Sequence, residues 1–197
     1  MRTTVLNNSN EIIFSIEDIS KILSISKESA KVTANRYVQN DRLIRLKRNY
    51  YITPTKFERL SEEDLFKLAN MLQVPSYISF MSALSYYNIS TQQVQSVIES
   101  AALKRTKNIN VENIEFRFIL IKEELYSDFI MKKDFFIATP EKSLADAVYL
   151  TSLSRYSCDF ETIDFSKINK QKVNLIIEKS NKKTISFWKD LCKRYKI

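Results

Sequence analysis

The sequence contains no glycine and no histidine, and only two cysteines and three prolines among its 197 residues. Each shortage removes a class of chemistry. Without glycine there can be no glycine-rich phosphate loop, so P-loop and dinucleotide fingerprints are excluded. Turns that need positive φ must then use another residue, and Asn, which tolerates that region best, is expected to mark them. Without histidine the commonest zinc ligand and general base are gone, and with them the Ser-His-Asp and Cys-His triads. An enzyme built from this chain would have to work with carboxylates, Lys, Ser or Tyr. Cys158 and Cys192 lie far apart, lack metal-ligand spacing and read as free buried thiols. Neither a metal nor a cofactor is expected. No stretch approaches the eighteen apolar residues of a membrane span, and no basic start leads into an apolar run. The expected setting is the cytoplasm, with no membrane partner.

Hydrophobic residues make up 44% of the chain, enough to fill a core. The formal net charge of +8 is unevenly placed: +4 over residues 1–54, −2 over 55–150 and +6 over 151–197. Basic ends flanking an acidic middle suit a polyanionic partner, although a solvated basic surface has the same composition.

Ser15 precedes Ile16, Ile19, Ile22 and Leu23, a three-and-four spacing that draws one apolar stripe down a short helix, with Asp18 placed for a capping box. Ser24-Ile25-Ser26 interrupts it. Ser26 caps a second helix whose Ala30, Thr33, Ala34, Tyr37 and Val38 share a face, giving a helix-turn-helix. After Asn40, the runs Leu43 to Leu46 and Tyr50 to Ile52 read as two strands around Lys47-Arg48-Asn49, a hairpin tipped with cations. Such a tip is what a wing lying on a sugar-phosphate backbone needs, and Asn49 can take the conformation glycine would otherwise occupy.

The face of the second helix opposite Ala30 and Tyr37 carries Glu28, Val32, Asn35, Arg36 and Gln39, flanked by Ser29 and Lys31. Asn35, Arg36 and Gln39 can contact base edges, while Lys27, Lys31, Lys47 and Arg48 suit phosphates. The DNA-binding set is therefore Ser26, Lys27, Ser29, Lys31, Asn35, Arg36, Lys47, Arg48 and Asn49. From Leu23 to Thr53 the balance is seven basic to two acidic residues, which favours nucleic acid over a protein-interaction module.

Beyond Pro54, Ser61-Glu62-Glu63-Asp64 followed by Leu65, Leu68 and Leu72 predicts a linker helix with an acidic first turn. Ile78 to Tyr87 predicts another helix, ending at Asn88. Val94 to Ile98, Asn108 to Val111, Ile114 to Ile121 and Asp134 to Ala138 predict a small sheet. Thr139-Pro140-Glu141 starts a helix through Leu144, Ala145 and Val148. Two last helices follow, around Val173 to Ile177 and Ile185 to Tyr195, the latter with Cys192 on its apolar stripe. Their lysines, Lys167 to Lys196, read either as a solvated face or as a second nucleic-acid surface. The expected fold class is α+β: a winged helix-turn-helix over 1–54, a linker helix over 55–72 and a mixed α/β domain over 73–197.

The helix Ser26 to Val38, with Arg42-Leu-Ile-Arg-Leu46, Arg48-Asn-Tyr-Tyr51, Tyr77-Ile-Ser-Phe-Met-Ser-Ala-Leu-Ser-Tyr86 and Ala138-Thr-Pro-Glu-Lys-Ser-Leu-Ala-Asp146 in this order, resembles the AbiEi-type antitoxins over most of the chain. Asn49 and Asp41 stand where that family has glycines. The resemblance implies an N-terminal winged helix joined to an antitoxin domain, in a bacterial type IV toxin-antitoxin or abortive-infection system. It further implies a nucleotidyltransferase-like toxin as functional partner, relieved without a stable complex. The expected function is thus a non-enzymatic antitoxin that represses its own operon by binding double-stranded promoter DNA. The competing readings are a plain winged-helix regulator with a sensing domain, or a metal-dependent nuclease using Glu115-Phe-Arg117.

Overall fold

The computed structural model of the chain describes residues 2–91 and 96–197. It is mixed α and β and divides into two compact units, residues 1–64 and 65–197. The first unit runs α1 (Arg2–Asn7), β1 (Phe14–Ser15), α2 (Ile16–Leu23), α3 (Lys27–Gln39), β2 (Ile44–Lys47), β3 (Tyr50–Ile52) and α4 (Pro54–Phe57). Ser15 caps α2 in a full capping box with Asp18, and Ser26 caps α3 by accepting from the Ser29 amide. Each cap satisfies orphan amides and contributes about 1 kcal/mol. Phe14, Ile16, Ile19, Ala30, Ala34, Tyr37, Leu43 and Tyr51 form one buried cluster that locks α2 and α3 against a three-stranded antiparallel sheet ordered β1-β3-β2. The two-residue β1 is too short to carry any periodicity, so pattern alone does not predict it.

The division at Asp64 falls within α5 (Glu62–Leu72). The acidic first turn of this helix, Glu62, Glu63 and Asp64, complements the helix dipole. Pro54 opens α4, where its missing N–H costs nothing.

The second unit holds β4 (Ser76–Ile78), α6 (Phe80–Tyr86), β5 (Val97–Ala102), β6 (Lys107–Val111), β7 (Ile114–Leu120), β8 (Phe129–Lys132), β9 (Phe135–Ala138), α7 (Pro140–Ser152), α8 (Lys170–Glu178) and α9 (Lys182–Tyr195). The sheet is open and mixed, in the order β6-β7-β5-β4-β9-β8, with β5/β7 and β4/β9 parallel and the other pairs antiparallel. Residues 142–150 of α7 are all buried, because the sheet covers one side and α8 and α9 the other. A helix enclosed in this way needs no amphipathic stripe.

Several expectations are corrected. Ile78 belongs to a central strand and not to a helix, so the helix expected from Ile78 begins at Phe80. The three-residue β4 is too short for period-two alternation to register, and its Ile fits the helical spacing that follows. The strand expected from Val94 extends instead to Ala102, and Val94 itself lies outside the described residues. Strand β8 was not expected. Asn does not monopolise the turns: among the described residues positive φ falls at Ser24, Asp41, Asn49, Phe80, Asn88, Glu112, Asp128, Lys133, Ser154 and Lys196, only two of them Asn. Both cysteines are free but half-buried.

Candidate nucleic-acid interface and a buried polar core

In α3 the buried positions are Ala30, Thr33, Ala34 and Tyr37, and the opposite side leaves Glu28, Ser29, Lys31, Val32, Asn35, Arg36 and Gln39 exposed. The helix is anchored by three small residues and the Tyr37 ring, and its long polar side chains face outward. Lys27, Lys31 and Asn35 follow one another at four-residue intervals and so line one edge of that face. Val32 is 69% exposed on it, an apolar contact with nothing in the first unit covering it.

The hydroxyls at the start of α3 are engaged locally. Ser26 Oγ accepts from the Ser29 amide at 3.2 Å and donates to Ser29 Oγ at 3.0 Å. Lys27 pairs with Glu17 of α2 at 3.0 Å, and this hydrogen bond holds the Glu17 carboxyl below its ordinary range. Both side chains are more than half exposed, so the pair is weak and a phosphate can displace the carboxylate. Arg36 lies 5.8 Å from the Tyr37 ring centre, its head free of ion pairs among the described residues.

Strands β2 and β3 meet in a two-residue turn, Arg48-Asn49, with Asn49 at φ 66°. Lys47 belongs to β2, next to a register shift between Arg45 and Lys47. Its ammonium stacks 4.7 Å from the Tyr50 ring, and burial pushes its pKa down. Arg48 and Asn49 are exposed. The structure thus brings Lys31, Asn35 and Arg36 together on α3, and Arg48 and Asn49 at the hairpin tip, while Ser26 and Ser29 serve first as a cap.

Two further cations escaped the sequence reading. Arg42 and Arg45 are exposed, Arg45 beside buried Leu46 on β2. The alternation in Ile44-Arg45-Leu46 was the available signal.

The second unit contains a buried polar core. Lys142 and Asp146, one turn apart on α7 and each 1% exposed, pair at 2.6 Å. The Lys142 ammonium also donates to the Leu125 carbonyl, and Asp146 Oδ2 accepts from Tyr77 at 2.9 Å and Ser79 at 2.8 Å. Burial first, then the Asp146 charge, raise the Tyr77 pKa well above the ordinary phenol value. Beside this cluster, Glu99 of β5 accepts from the Met81 amide at 3.1 Å and the Tyr156 hydroxyl at 2.8 Å. Burial outweighs these hydrogen bonds and raises the Glu99 pKa. Burial also pushes the neighbouring Cys158 thiol up to about 12, which makes it a poor nucleophile. The chain turns between the two carboxylates at Phe80, a fully buried residue at φ 56°. A bulky side chain in that region is strained, and here hydrogen bonds on Ser79 and Met81 hold it.

Glu115 and Arg117 sit on β7 in register with Val97 and Glu99 of β5. Arg117 donates to Glu115 at 2.6 Å, and Asn108 does so at 2.9 Å. The carboxylate is therefore committed to a guanidinium and an amide, and the Arg117 hydrogen bond lowers its pKa. Among the described residues no group of three or more His, Cys, Asp or Glu is arranged to hold a metal ion. No helix there is long and apolar enough to cross a membrane.

Comparison with protein-family models and with curated proteins finds no match for this chain.

Proposed function

We propose that the first unit is a winged helix-turn-helix that binds double-stranded DNA, with α3 in the major groove and the β2–β3 hairpin as the wing. The observation that carries this reading is the division of α3 into a buried face of Ala30, Thr33, Ala34 and Tyr37 and an exposed face bearing Lys31, Asn35, Arg36 and Gln39. A helix so presented can offer amides to adenine edges and a guanidinium to guanine, while Lys27, Lys47 and Arg48 bind phosphates.

In its more particular form, the protein is a cytoplasmic, non-enzymatic antitoxin of a type IV toxin-antitoxin system that represses its own promoter. This part rests on the AbiEi-like order of segments. The toxin would be nucleotidyltransferase-like, and its relief needs no stable complex. The Ala138 to Asp146 segment of that resemblance supplies the Thr139 cap and the buried Lys142–Asp146 pair, so its residues support the second unit from within.

The test is a mobility shift on the DNA upstream of the gene, repeated across salt concentrations. Combined replacement of Lys27, Arg36, Lys47 and Arg48 by Ala is expected to weaken binding and flatten the salt dependence by about 0.9 for each phosphate no longer neutralised. Unchanged affinity would overturn the assignment. Co-expression with the neighbouring gene product tests the antitoxin role: rescue of a toxic neighbour supports it, and no rescue leaves a plain regulator.

A further inference from the structure

The net charge of the chain is concentrated in its last 33 residues, which hold α8 and α9. Residues 165–197 carry ten basic and two acidic side chains, a net of +8 that equals the charge of the whole chain, so the remaining residues balance to zero. The apolar sides of both helices are already used. Val173, Ile176 and Ile177 of α8 and Trp188 and Leu191 of α9 are buried in one cluster with Leu144 and Val148 of α7. Trp188 Nε1 donates to Asn174 at 2.7 Å and ties the two helices together.

The polar sides are therefore the outer surface of a rigid pair. Lys182, Lys189 and Lys193 are exposed and, at 100° per residue, fall within an arc of about 40° along roughly 16 Å of α9. Arg194 stands on the adjacent face, about 100° round the helix from Lys193 and beyond Asp190. None of these four has a carboxylate within ion-pair distance among the described residues, whereas Lys167 and Lys179 are held by Asp164 and Asp128. A fixed row of unneutralised cations is electrostatically costly to the folded state, and a dense polyanion relieves it.

The surroundings select the kind of polyanion. Phe187 and Tyr195 pack against the core, so no aromatic platform for unpaired bases accompanies the cations. Leu175 is the one exposed large hydrophobic side chain on α8 and α9, too little to enter a lipid surface. Duplex DNA, with one charge per about 1.7 Å of axis, matches a row of lysines without either feature. We propose that α8 and α9 form a sequence-independent DNA-binding surface that grips the phosphate backbone of a duplex through Lys182, Lys189, Lys193 and Arg194.

This surface belongs to the second unit and does not depend on the reading of α3. The test uses the full chain and a duplex of random sequence, titrated over a range of salt. Replacing Lys182, Lys189, Lys193 and Arg194 together by Gln is expected to make the slope of log affinity against log salt shallower by about 2 to 4, at about 0.9 per neutralised phosphate. Replacing the three lysines by Arg is expected to keep the slope, and the helix content of both variants is followed by circular dichroism. An unchanged slope in the folded Gln variant would overturn the proposal, as would a flattened slope in the Arg variant. So would tighter binding, at equal salt, to phosphatidylserine vesicles or to single-stranded RNA. Failure of the α3 assignment reads out differently, as a preference for promoter over random duplex that α3 substitutions do not alter.

Discussion

Lys142 and Asp146 form an ion pair with each side chain only 1% exposed, and such burial has a large energetic consequence. Each charge is compensated by the other and by hydrogen bonds to Leu125, Tyr77 and Ser79. Removing one partner leaves the other unpaired in the buried interior, so Lys142→Met is expected to lower stability by about 3 to 5 kcal/mol in chemical denaturation. The double change Lys142→Met with Asp146→Leu is expected to recover a large part of that deficit. Glu99 makes a pH prediction. Its folded pKa is raised by burial, so the folded state holds the proton more tightly than the unfolded chain. This contribution is fully present below the unfolded glutamate value of about 4.3 and is lost as pH rises through the folded value. Glu99→Gln should therefore flatten the decline of stability from about pH 4.3 upward, and a decline as steep as in the unsubstituted protein would contradict the assignment.

At the scale of elements, the α2-turn-α3 segment was legible because caps and periodicity agree. Ser15, Asp18 and Ser26 take the roles their spacing implies, and Ala30, Thr33, Ala34 and Tyr37 are buried as expected. The hairpin was legible to within a residue: its turn is Arg48-Asn49, with Lys47 still in β2. The second unit was less so. β4 lies at the centre of the sheet but is three residues long, and β5 ends in Ser100-Ala101-Ala102, residues with little strand preference that are placed there by pairing with β4 and β7. Partnerships between residues distant in sequence, such as Tyr77 with Asp146 or Glu99 with Tyr156, leave no local signature at all. Turn chemistry allows a prediction at this scale. Asn49 adopts φ 66°, so Asn49→Val is expected to destabilise the β2–β3 hairpin by about 1 to 2 kcal/mol, while Asn49→Gly is tolerated. Thermal denaturation of the two variants compares them directly.

For the whole molecule, the two units carry different kinds of basic surface. The first unit mixes amides with cations on one helix face, a composition suited to reading bases, and the second displays a row of lysines suited to charge alone. Substitutions should separate accordingly: those on α9 change the salt dependence on any duplex, and those on α3 change discrimination between duplexes. The central claim is that α3 reads sequence. It is tested most directly by the ratio of affinities for promoter DNA and a scrambled duplex, measured at one salt concentration with the unsubstituted protein and with Asn35→Ala and Gln39→Ala. Each bidentate base contact contributes about 1 to 3 kcal/mol of discrimination, so the account predicts that at least one of the two substitutions lowers the ratio by about fivefold or more. A ratio unchanged in both variants would contradict it.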